Sequence, residues 1–394
     1  MYGTQIPVYQ PAPQYAPVYK AAPVIQYAPV CKSTTPPAIT ALTDTRVIQA
    51  ILNTRIKGKK ALTSILFPEA RQRALFSEYE QVDVLTGAVG MAPFNRVGQK
   101  ALMVGGLNGT SYVINTPFIN IMRTLQYSTD FAKRQAGQPV FINSDQNRQF
   151  VRTALEQDVD VMNDMIDNRI EWMAAMILRG QIEYSVAGQD SFIINSGKPA
   201  ANTFTVSILW DAGSAVPLED IAQAKRIVSL KNGPLPNVAL CGAKASKVLR
   251  ALVEAGSIKS MATTSGVVAT ERVNLLSRYE ESGLMYMGKF GDVDFFEYLG
   301  TYIDDTTGVV TPLIRSEYVE FISTSDLALS MRELLFGMMP DLHIIRAGEH
   351  VTKRHLTSIE PKPDQGAYQG IMKSRPFPHL KRPDWNVSMM VDAE

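Results

Sequence analysis

The sequence predicts an α+β protein, and three observations carry that prediction. Apolar residues recur at spacings of three and four from Val151 to Ile177, which is the period of one helix face. A glycine-studded stretch of β-prone pieces, Thr86 to Asn115, precedes that helix. From Pro217 onward short helices and strands alternate, the pattern of an α+β lobe. The 394 residues suffice for two or three domains at about 150 residues each.

Hydrophobic residues make up 45% and charged residues 20% of the chain, so disorder throughout and collagen-like repetition are excluded. Thirty-nine Lys+Arg against 38 Asp+Glu give a net charge of +1, which argues against a dedicated nucleic-acid reader. The longest apolar run, Trp172 to Leu178, falls far short of the roughly 18 residues that span a bilayer, so no membrane partner is expected. No basic residue followed by an apolar stretch opens the chain, so no secretory signal is expected. Cys31 and Cys241 lie too far apart for a disulfide framework or a Cys-x-x-Cys zinc site, and a reducing compartment fits best.

Taken in order, residues 1–45 form a Pro/Tyr-rich extension. Eight of the 23 prolines and five of the 15 tyrosines fall within residues 1–37, where Lys20 and Lys32 are the only charged side chains. The phrase Gln14-Tyr15-Ala16-Pro17-Val18 returns as Gln26-Tyr27-Ala28-Pro29-Val30. Proline at this density forbids helix and favours an extended, polyproline-like path. A solvated tail and a strap docked on another surface both fit; Tyr9, Tyr15, Tyr19 and Tyr27 are the contact candidates of the second reading.

Residues 46–85 read as a basic arm. Within 46–73, seven bases, among them Arg55, Lys57, Lys59 and Lys60, face one acid, a net of +6. Residues 278–326 hold ten acids and three bases, a net of −7. Charge segregated this way suits self-association, although surface charge patches are also common without any partner.

Residues 86–115 predict an extended hairpin, and a two-stranded ribbon that long needs a surface to lie on. Asp145 to Arg179 is the long helix, opened by Asn143-Ser144-Asp145 and closed by Gly180. A coiled coil would need a second heptad segment, so a single helix against a sheet is expected, with Asp158, Asp160, Asp164 and Asp167 on its flanks. A strand-rich stretch runs to Trp210. Pro217 starts the next helix, with Glu219 and Asp220 in the first turn where the dipole favours acids. A strand (237–241), a helix (243–255) and strands at 283–287, 293–302 and 309–314 follow, the last two joined by Asp304-Asp305-Thr306-Thr307-Gly308.

Catalytic chemistry does not emerge from the motifs. His343, His350 and His355 are spaced seven and five apart, which fits neither a helix pair nor a strand face, so no metal is expected. Gly105 to Gly109 lacks the Lys-Ser/Thr of a phosphate loop. The Asp304-Asp305 pair reads as turn and cap chemistry. Methionine-rich stretches read as core filler. No cofactor is expected.

The order of parts resembles the lambda-type major capsid proteins of tailed bacteriophages, which share the Hong Kong 97-type capsid fold. The carrying residues are Ala92-Pro93-Phe94 with Thr116-Pro117-Phe118-Ile119, Asn168-Arg169-Ile170-Glu171-Trp172-Met173 through Gly180, Pro217 to Ile221, Tyr302 to Gly308 with Pro312-Leu313-Ile314, and Pro376-Phe377-Pro378 with Pro383-Asp384-Trp385. Residues 1–45 fall outside the resemblance.

The resemblance implies an N-terminal arm, an extended loop at 86–115, a peripheral domain at 116–216 with its spine helix at 145–179, an axial domain at 217–335, and a return to the peripheral domain at 336–394. It implies no enzyme, but a subunit that self-assembles into hexamers and pentamers of an icosahedral head shell around double-stranded DNA, which it contacts non-specifically. Portal, scaffold and decoration proteins are the other implied partners, with assembly in the host cytoplasm. Assembly candidates on these grounds are the tyrosines and basic residues already named, Pro93, Phe94 and Lys100 in the loop, and Asp304 and Asp305. An encapsulin-like compartment and a soluble enzyme are the alternatives.

Overall fold

The computed structural model describes residues 61–75, 79–88, 108–126, 144–184, 191–254, 283–339, 354–362 and 367–393. Helix α1 (Ala61–Leu66) and strand β1 (Gln72–Ala74) open the described chain. Strands β2 (Tyr79–Thr86), β3 (Asn108–Asn115) and β4 (Ile119–Gln126) precede the long helix α2 (Ser144–Arg179). Then come β5 (Gln181–Tyr184), β6 (Phe192–Asn195), β7 (Thr203–Thr205), α3 (Pro217–Ser229), β8 (Val238–Cys241) and α4 (Ala243–Glu254). Strands β9 (Leu284–Phe290), β10 (Val293–Tyr298), β11 (Thr301–Ile303), β12 (Val310–Pro312) and β13 (Tyr318–Ile322) follow, with α5 (Asp326–Ser330) and β14 (Arg332–Phe336). The chain closes with β15 (Leu356–Lys362), β16 (Ala367–Ser374), β17 (Pro376–Leu380) and β18 (Val387–Met390).

Helix α2 is the organising element. Its 36 residues span about 54 Å at 1.5 Å each. Val159, Met162, Ile166, Ile170, Met173 and Ile177 are all buried, so the stripe legible in the sequence is the face turned inward. Each such side chain contributes about 1.5–3 kcal/mol on full burial. The surface it covers is the antiparallel sheet β15-β16-β4, together with β17, β5 and α1. From Ile170 to Leu178 the helix is buried all round, Trp172 and Ala174 included. Of the aspartates on the flanks of the stripe, Asp167 is buried, 1% exposed, and pairs with Arg354 at 2.5 Å. Gly180 ends the helix with φ +115°, a conformation that L side chains rarely adopt.

A second core sits under a six-stranded sheet of order β7-β18-β13-β8-β10-β9. Helices α3 and α4 bury Ile221, Ala224, Val228 and Leu249 among Trp210, Phe295, Phe321 and Val387. Pro217 occupies the first turn of α3 as expected, ahead of Glu219 and Asp220. At Gly242 a Cβ would meet the Arg315 carbonyl oxygen at 2.0 Å, so only glycine lets β8 leave the sheet there. Strands β7 and β18 reach this sheet from residues 203–205 and 387–390, on either side of the contiguous 217–335 stretch.

Two further differences from the sequence reading have simple causes. The ribbon begins at Tyr79, in what reads as arm, because β2 pairs with β3 in register from Tyr79↔Asn115 to Thr86↔Asn108. The expected strand 293–302 breaks at Leu299-Gly300, so that β10 stays in the large sheet while β11 turns away to pair with β12.

Candidate assembly interface

Three buried polar joints set the directions in which arm, ribbon and sheet leave the body. The first holds the arm. Glu171, 1% exposed on α2, accepts from Leu62 N at 2.7 Å, Thr63 N at 2.8 Å and Thr63 Oγ1 at 2.5 Å. Tyr298 Oη on β10 donates to it at 2.6 Å. No cation is among these partners; backbone N–H groups of α1 and two hydroxyls satisfy the carboxylate, the condition for burying one. Burial and the adjacent carboxylate push the Tyr298 phenol well up, so it stays a donor.

The second joint roots the ribbon. Arg382 pairs with Asp384 (Nε–Oδ1 3.0 Å), both buried, and donates from Nη2 to the carbonyls of Gly87 (2.7 Å) and Lys231 (3.0 Å). Gly87 N in turn donates to Asp384 Oδ2 at 3.0 Å, so both backbone groups of the residue after β2 are clamped. Asn202 Nδ2 donates to the Asp384 and Asn386 carbonyls at 2.6 and 3.0 Å. The guanidinium also stacks over Trp385, 4.6 Å from its centroid.

The third joins the end of α2 to the large sheet. Lys198 Nζ donates to Leu178 O at 2.8 Å and Ser388 Oγ at 2.5 Å, and lies 3.8 Å from Glu320 on β13. Burial pulls the Lys198 ammonium down, against the raising effect of Glu320. Ser388 donates to Glu320 in the same cluster.

Of the assembly candidates, Asp304 and Asp305 are described, and both work within the subunit. Asp304 Oδ1 accepts from Thr306 N (2.8 Å) and Thr307 N (2.9 Å), which closes the β11–β12 turn and holds its carboxyl below the usual range. Asp305 bonds Arg169 at 2.5 Å, and Arg169 lies 5.1 Å from the ring centroids of both Trp172 and Tyr184. Turn chemistry accounts for Asp304; Asp305 instead ties the hairpin to the long helix. Tyr9, Tyr15, Tyr19, Tyr27, Arg55, Lys57, Lys59, Lys60, Pro93, Phe94 and Lys100 lie outside the described residues, as do His343 and His350. Glu171, Arg382, Lys198 and Glu320 are not among the sequence candidates. The signal for Glu171 was visible, since Arg169-Ile170-Glu171 carries the resemblance, and Pro383-Asp384-Trp385, which also carries it, begins one residue after Arg382.

His355 and His379 are core residues, and burial lowers them to about 3 and about 4 respectively. An unfolded histidine takes its proton near pH 6.5. The unfolded state therefore binds more protons below that pH, and stability present above 6.5 is lost as pH falls toward 4. The slope should approach two protons, about 2.7 kcal/mol per pH unit. Urea unfolding at pH 7, 6 and 5 measures it, and His355→Met should remove about half of the histidine slope.

A subunit with one long helix under a sheet, a second sheet-and-helix lobe and a ribbon rooted between them is a shell-forming protein of the Hong Kong 97-type fold. Residues 44–391 match the family model described as phage major capsid protein E, and the chain belongs to that family. It is a structural protein of the phage head shell and not an enzyme. A crystal structure of a prophage capsid protein from Escherichia coli CFT073 superposes with TM-score 0.62 at 15% identity, over 88% of this chain and 99% of that one. The capsid of cyanophage P-SCSP1u gives 0.43 at 10% identity, over 85% and 89%. The encapsulin complex of Synechococcus elongatus PCC 7942 gives 0.40 at 9% identity, over 87% and 94%. No curated protein matches the chain. Among the described residues no helix is long and apolar enough to cross a membrane.

Proposed function

We propose that the subunit assembles into hexamers and pentamers that close an icosahedral shell around double-stranded DNA, with ribbon and N-terminal segment as the elements that reach neighbouring copies. The observation that carries this is the ribbon. Gly87 at the end of β2 is clamped by the Arg382–Asp384 joint, while β3, paired with β2 ahead of that clamp, is exposed, with Tyr112 at 46% and Val113 at 72%. A clamped strand pair with two uncovered apolar side chains suits contact with another molecule.

The lobe around the six-stranded sheet is the axial domain in this reading, and α2 with its sheets the peripheral domain. The basic residues 46–60 meet acidic surface of neighbouring subunits, and residues 1–37 lie across neighbours as a strap. Portal, scaffold and decoration proteins are the further partners, and DNA is contacted without sequence preference. Assembly takes place in the host cytoplasm.

The test shortens the ribbon without disturbing its root. Replacing residues 88–107 by Asn-Gly keeps β2 paired with β3 through a tight turn. The variant should purify as a folded monomer or capsomer, seen by size-exclusion chromatography and negative-stain imaging, while the parent gives closed shells. Closed shells from the shortened chain would remove the ribbon from the assembly machinery.

A further inference from the structure

Between the root of the ribbon and the sheet β1-β14-β17 lies a cavity of about 500 Å³. Val82 and Leu85 of β2 and Leu335 of β14 form its apolar part. Four of its five charged side chains are paired within the wall: Arg73 with Glu80 at 2.9 Å, and Lys381 with Glu333 at 2.6 Å. Asp83 takes the Ser111 hydroxyl. Both cations of the lining are engaged and a single carboxylate, Asp83, is left over, so the groove offers an anion no free cation and holds only one net negative charge. It suits a neutral, extended occupant with an apolar ring and a hydrogen-bonding tip.

The chain contains one segment of that description. Residues 1–37 carry two charged side chains, and the Gln-Tyr-Ala-Pro-Val phrase at 14–18 and 26–30 joins an aromatic ring to a pre-set proline backbone. Sixty residues precede Ala61, whose helix is pinned to Glu171, and at about 3.1 Å per residue in extended form they reach well beyond one subunit. The two phrases start 12 residues apart, about 37 Å on the same scale. No groove of 500 Å³ takes both, and every subunit offers its own.

We propose that each Gln-Tyr-Ala-Pro-Val phrase fills the ribbon-root groove of a different neighbouring copy, so that one N-terminal segment bridges two subunits. This rests on the strap reading above and names where the strap is seated. Two linked phrases on two grooves bind as a bivalent ligand, which makes the strap stabilise closed shells far more than isolated subunits.

Three measurements on assembled shells test it. In a Cys31→Ser background, Tyr15→Cys with Thr110→Cys on the groove wall should give, on mild oxidation, a ladder of covalently linked chains that Tyr15→Cys alone does not. Cys241 is buried and does not compete. Thr110→Trp, which fills the groove from an exposed position, should lower the heat resistance of full-length shells as much as starting the chain at Thr43 does, and combining the two should add nothing. A peptide of residues 12–32 should bind truncated shells at least tenfold more tightly than residues 12–20. Shells without a ladder, additive losses, or equal affinity of the two peptides would overturn the seating while leaving a strap docked elsewhere. Equal stability of truncated and full-length shells would overturn the strap itself, and the seating with it.

Discussion

Ile166→Asp should leave no soluble, shell-forming protein. Ile166 is fully buried in the middle of the α2 stripe, between Met162 and Ile170, against the sheet that carries Met372 and Ile359. An aspartate there loses the apolar contacts of a large side chain and strands a carboxyl with no donor. Together these cost on the order of 5 kcal/mol, comparable with the whole stability of an ordinary domain. The comparison that isolates burial is Met165→Asp, one residue away and 52% exposed. That change should stay within about 0.5 kcal/mol. Soluble yield and thermal melting of the two variants decide the matter, and a normally melting Ile166→Asp protein would show that α2 is not the spine.

Arg382→Met should be nearly as damaging, for a different reason. It removes the cation from a fully buried Asp384 and leaves that carboxylate with the Gly87 N–H as its donor, a loss of about 3–5 kcal/mol. The Gly87 carbonyl loses the arginine donor as well, and the Lys231 carbonyl keeps the longer bond from Trp385 Nε1 at 3.4 Å. Because Gly87 is where the ribbon leaves the body, the same change should free the ribbon root, read as faster proteolysis within residues 86–108 at denaturant concentrations that leave the rest folded. Adding Asp384→Asn should recover part of the stability by removing the stranded charge. If the double variant is no better than the single one, packing over Trp385 and not charge is what the arginine supplies.

Local chemistry was legible wherever it is periodic or stereochemical. The α2 stripe, its stop at Gly180, the proline start of α3 and the Asp304 turn all stand where the sequence places them, since each depends on residues within a turn or two of one another. The ordered set of short motifs was also sufficient for the family.

Joints between distant segments were not legible. Glu171 reads as one more charge beside a helix stripe, and what makes it a latch is Thr63, 108 residues earlier, and Tyr298, 127 residues later. Arg382 reads as a basic residue near the end of the chain until Gly87, 295 residues away, is brought against it. Strands β7 and β18 are too short to be assigned to the large sheet without their partners, and β11 departs from β10 only because β12 is there to receive it. By itself the sequence determined the long helix and its stop, the start of α3 and the capsid family. The tertiary structure alone decided what satisfies each buried charge, because a buried ion is stable only among charges or hydrogen-bonding groups that match it, and groups brought together from more than a hundred residues apart leave no periodic trace.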